Sequence, residues 1–118
     1  MSMEMAGIIG LSNFLKFLDT LIHEIEELIS LISSSTSLIN IFTYTLSYKF
    51  TKVFELNKDF PKYIDESIIL TLTDTFNILQ GNIVSNDDIL KYSTSLYNIL
   101  SEIKKNKKEE YNKMCANY

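Results

Sequence analysis

The chain has 118 residues, 46% hydrophobic, 22% charged and 12% aromatic, with one cysteine and a net charge of -4. That is enough apolar material for one globular domain, since cores become self-sufficient above about 40 residues, so wholesale disorder is excluded. One cysteine excludes a disulfide framework, and fifteen acidic residues against eleven lysines argue against general nucleic-acid binding.

There is no arginine and no tryptophan, so no guanidinium fork is available for bidentate recognition of phosphate or carboxylate. Isoleucine and leucine together number 31 and asparagine ten, while valine and alanine number two each. Ile, Lys, Asn, Tyr and Phe are what AT-rich codons supply, which points to an AT-rich genome, such as that of a large DNA virus, a parasite or a low-GC bacterium; a viral or accessory protein is one expectation. The opening Met1–Gly7 lacks the basic stretch of a secretory signal, and no asparagine begins a glycosylation sequon. Cys115 fits a free thiol in a reducing compartment, and the expected setting is soluble and cytoplasmic.

The first segment carries Leu11, Leu15, Leu18, Ile22, Ile25, Ile29 and Ile32 at alternating spacings of four and three, the seam of an amphipathic helix. Phe14, Leu21 and Leu28 widen it, and Asp19, Thr20, Glu26 and Glu27 fall opposite. Ser12 as N-cap and the Ser33–Ser37 run as terminator predict a helix over 12–33. Residues 28–48 carry no charge, but ten of these positions are Ser, Thr or Asn, so two helices meeting at a polar turn are expected rather than a membrane span.

The second segment, 37–57, supports two periods. Phe42, Tyr44, Leu46, Tyr48 and Phe50 alternate with polar residues as in a strand, whereas Ile39, Phe42, Leu46, Phe50 and Val53 make one helical face. The helix is favoured because the alternation breaks phase at Val53-Phe54. The third segment, 60–80, has the same double pattern, but a strand would place Asp74 among Ile68, Leu70, Leu72 and Phe76. A helix points Asp74 outward and Ile69, Leu72, Phe76 and Leu79 inward, with Asp59-Phe60-Pro61 as its start and Gly81 as a left-handed C-cap. The fourth, 85–112, opens with Ser85 and Asp88 in capping-box spacing and Val84 with Ile89 as a hydrophobic staple. Its inward face is Ile89, Tyr92, Leu96, Ile99, Leu100 and Ile103, and beyond it lies a lysine-rich tail. The expected fold is all-α, an antiparallel four-helix bundle in a single domain, with residues 1–8 and 113–118 as flexible ends. The alternative is α+β, with 39–52 and 67–76 as strands.

Catalytic parts are scarce. His23 is the single histidine, and Asp19, His23 and Glu27 form one exposed stripe that lacks the His-Glu-x-x-His or paired Glu-x-x-His pattern of helical metal sites. There is no nucleophile elbow, no paired cysteine and no phosphate-binding loop. No catalytic, cofactor or metal residues are assigned, and neither an enzyme nor a small-molecule substrate is expected.

The remaining feature is a surplus of large apolar residues outside the inward faces: Phe17 and Leu31, then Ile41, Tyr44 and Tyr48, then Leu90 and Tyr97. Aromatic-rich surface of this kind anchors protein interfaces. The expectation is a non-catalytic interaction or assembly protein that self-associates or docks on a larger partner. The alternative is a peripheral membrane-surface protein using the first helix and the Lys104–Lys113 cluster.

Overall fold

The computed structural model describes residues 2–32, 36–81 and 85–118, with only the backbone of 36–38. It contains α1 (Met3–Ser30), α2 (Thr36–Leu56), a 3-10 turn (Phe60–Tyr63), α3 (Glu66–Leu79) and α4 (Asn86–Asn117). All regular structure among the described residues is helical, so the strands considered at 39–52 and 67–76 are absent there. The four helices pack around one cluster of buried apolar side chains, with Phe14, Leu18, Leu21, Ile25, Leu28, Ile39, Leu72, Leu96 and Leu100 sealed from solvent.

Helix α1 begins nine residues before the expected 12. Ser2, not Ser12, is its N-cap, and its Oγ accepts the Met5 N–H at 3.1 Å. Ser12 sits inside the helix beside the Tyr111 hydroxyl. Two glycines within the first turns weaken helix propensity, but Gly10 answers a packing need. A Cβ there would stand 2.7 Å from the Tyr63 hydroxyl. With α4 running on to Asn117, helix occupies most of the stretches expected as flexible ends, 1–8 and 113–118. Along the two long helices Ser2 meets Tyr118, the Gly7 backbone faces Met114, and Asp19 pairs with Lys104. Lys49 of α2 pairs with Glu24 of α1.

The third element differs most from expectation. Pro61 starts a 3-10 turn rather than α3, and Ile64 is then extended, so α3 opens at Glu66 behind the N-cap residue Asp65. The turn drives aromatic rings under α1. Phe60 packs edge-on to Phe14 with centroids 5.4 Å apart, and Tyr63 lies 5.0 Å from the same ring. At the far end Gln80 is the C-cap in right-handed conformation, and no glycine among the described residues has positive φ. The left-handed Gly81 cap is therefore not formed. The Val84–Ile89 staple and most of the Ser33–Ser37 run lie outside the described residues.

Helix α4 starts as expected at Ser85, whose Oγ accepts the Asp88 N–H at 3.1 Å while Asp87 and Asp88 complement the helix dipole. Ser85→Ala is expected to lower stability by about 0.5–2 kcal/mol in urea unfolding, and an unchanged midpoint would remove the cap from the account. Further along, Ser93 is fully buried and its hydroxyl has no hydrogen-bond partner among the described residues. Two other buried hydroxyls behave differently: Thr43 donates to the Asn40 carbonyl at 3.0 Å and Thr75 to that of Thr71 at 2.7 Å. Ser93→Ala is expected to raise stability by about 1 kcal/mol, because an enclosed polar group with no partner opposes folding. A loss of stability would show that the hydroxyl is bonded.

Candidate interaction surface

The inward stripe of α2 is Ile39, Thr43, Leu46 and Phe50, all buried. Helical periodicity therefore turns Tyr44 and Tyr48 directly away from the core. Tyr44 is 62% exposed, Tyr48 52% and Ile41 62%. The two tyrosine rings stack on each other, with centroids 6.4 Å apart and planes at 16°, and the Lys52 ammonium lies 5.9 Å from the Tyr48 centroid. The rings thus form a pre-ordered aromatic plate with a cation at its edge, which lowers the conformational cost of burying them against another protein. Ile41 borders a shallow hollow with Phe42, Thr45, Lys49, Glu24 and Glu27, closed by the Lys49–Glu24 ion pair.

The other residues expected at an interface do not join this face. Phe17 is half-buried, not outward: Phe60 stacks on it at 5.5 Å and Phe54 lies at 6.1 Å, because the 3-10 turn folds back across α1. Leu31 is half-buried in the turn closing α1. Tyr97 packs partly against the core and lines a hollow with Ile22, Glu26 and Lys104 on the opposite flank of α1 from Ile41. Leu90, 42% exposed, lies two turns before Tyr97 on α4. Of the seven, Ile41, Tyr44 and Tyr48 make up one continuously exposed helix face.

The groups with chemical potential are scattered. His23 Nε2 sits 3.2 Å from Glu27 Oε1 with both side chains exposed, while Asp19 turns to Lys104. Among the described residues no three His, Cys, Asp or Glu side chains gather as a metal site. Burial, and then the nearby Asp59 carboxylate, push the Tyr63 phenol above its ordinary pKa. A hydrogen bond with Cys115 raises that of Tyr111. Both shifts carry these phenols further from ionisation at neutral pH.

One concave feature leaves no mark on the sequence pattern. Between α3 and α4 lies a groove of about 410 Å³, floored by Ile68, Ile99 and Ile103 and edged by Asn98, Glu102 and Asn106. Ile99 and Ile103 read in sequence as part of a uniform inward face. The groove opens along their edge where α3 presents Thr71 in place of a large side chain. Comparison with protein-family models, curated proteins and solved structures finds no match for the chain.

Proposed function

We propose that the protein is a non-catalytic assembly protein, an antiparallel four-helix bundle that self-associates through the outer face of α2. The contacts of Ser2 with Tyr118, Gly7 with Met114 and Asp19 with Lys104 support opposite directions for the two long helices. The observation that carries the function is the stacked, outward Tyr44–Tyr48 pair beside exposed Ile41. Large rigid aromatics contribute most binding energy per ordered rotamer, and solvent exposure leaves their apolar area unsatisfied. Docking of the same face on a larger protein is the second form of this reading. A reducing, cytoplasmic setting is consistent with the free, exposed Cys115.

Light scattering after size exclusion tests the proposal, with capture of partners by the immobilised chain as its second arm. A strict monomer that captures nothing would overturn both forms. Membrane-surface binding has one observation in its favour: α1 has the length and apolar composition of a membrane span. Eight of its apolar side chains are already buried in the bundle, however, and Lys104 and Lys107 of the basic tail are paired with Asp19 and Glu110. Co-sedimentation with anionic vesicles, weakening in salt, would be the result that favours it.

A further inference from the structure

We propose that the groove between α3 and α4 docks a basic amphipathic helix of about three turns. Its floor is the apolar trio Ile68, Ile99 and Ile103. A second hollow of about 210 Å³ shares Ile68, Ile103 and Asn106 with it and continues it to Ile64 and Asp65. From Asn98 to Lys107 the joined groove follows α4 for about 14 Å at the helical rise, the length of two to three turns of a helix lying alongside. Such a helix would set apolar anchors at i, i+3 or i+4, and i+7 into the floor.

Charge selects the chemistry of the occupant. Glu102 stands in the middle of one rim between Asn98 and Asn106, each four residues away on the same face of α4. Asp65 lies at the far end, and α3 contains Glu66 and Asp74 but no lysine. Neither Glu102, Asp65 nor Asp74 belongs to an ion pair among the described residues, whereas Lys107, the cation lining the groove, is held by Glu110 at 3.0 Å. The Glu102 and Asp65 carboxylates along the apolar floor disfavour a fatty acid or an acidic segment. They suit a helix whose apolar stripe is flanked by Lys or Arg. This surface is separate from the α2 face, so either can fail without the other.

The test uses the full chain, labelled for NMR, titrated with two synthetic 14-residue helical peptides. Both carry the same leucine stripe, one flanked by lysines and the other by glutamates. The lysine peptide is expected to shift amides within 64–71 and 98–107, with affinity falling as salt rises, while the glutamate peptide leaves the spectrum unchanged. Glu102→Lys, at an exposed position within α4, is expected to weaken the lysine peptide about fivefold or more. Tyr44→Ser with Tyr48→Ser should bind it as the natural chain does. Equal binding of both peptides, shifts spread over other surfaces, or no binding would each overturn the proposal.

Discussion

Phe14→Ala is expected to destabilise the protein by about 3–5 kcal/mol, the scale for emptying a fully buried aromatic site. Phe14 has no exposed surface, and its ring is the meeting point of α1 with the 3-10 turn through Phe60 and Tyr63. Removing it opens a cavity and also unpins the segment that joins α2 to α3. A domain of this size has about 5–15 kcal/mol in total, so the variant should be partly unfolded at moderate temperature. Urea unfolding followed by circular dichroism measures the loss. A cost below about 1 kcal/mol would mean that the turn does not pack under α1, because exposed positions give effects of that size.

Truncation at the centre of each helical face is the second large effect. Leu18, Ile25, Leu72 and Leu96 are fully enclosed, and each change to alanine should cost about 2–5 kcal/mol. Ile99 provides an internal contrast, because it is half-buried beside the α3–α4 groove and its truncation leaves a wall already open to water. Ile99→Ala should therefore fall clearly below the four. Equal losses at all five positions would contradict the groove as drawn, and small losses at Leu72 and Leu96 would contradict the packing of α3 and α4.

The inward stripe of the first helix was legible in sequence because its leucines and isoleucines keep one period for six turns. Its centre was not. Phe14, Leu21 and Leu28, which only widen the seam on paper, are fully buried, while Ile29 and Ile32 are half-exposed. The face turns toward α2, where Lys49 pairs with Glu24 and Phe54 lies against Phe17, and only the position of α2 in space reveals that. The double periodicity of 42–51 resolves as helix with Thr43 and Ser47 inside and Tyr44 and Tyr48 outside. Thr43 is tolerated in the core because its hydroxyl bonds a carbonyl of the preceding turn, a local option that sequence patterns score as polar and therefore exposed. Phe17 was misplaced for a tertiary reason: its cover, Phe60, arrives from 43 residues later through a proline-led turn. The α3–α4 groove depends on the relative placement of two helices and has no sequence signature.

The self-association of α2 faces is tested most directly by the solution mass of the chain across concentration, measured beside that of Tyr44→Ser/Tyr48→Ser. Both rings are exposed in the protomer, so their removal opens no core cavity and should leave the urea midpoint of the monomeric variant close to that expected for an isolated protomer. The mass of the natural chain is expected to rise above 13.6 kDa with concentration, while the folded double variant stays at the monomer value. A natural chain that remains at 13.6 kDa at every concentration, or a double variant that associates just as strongly, would contradict self-association of α2 faces.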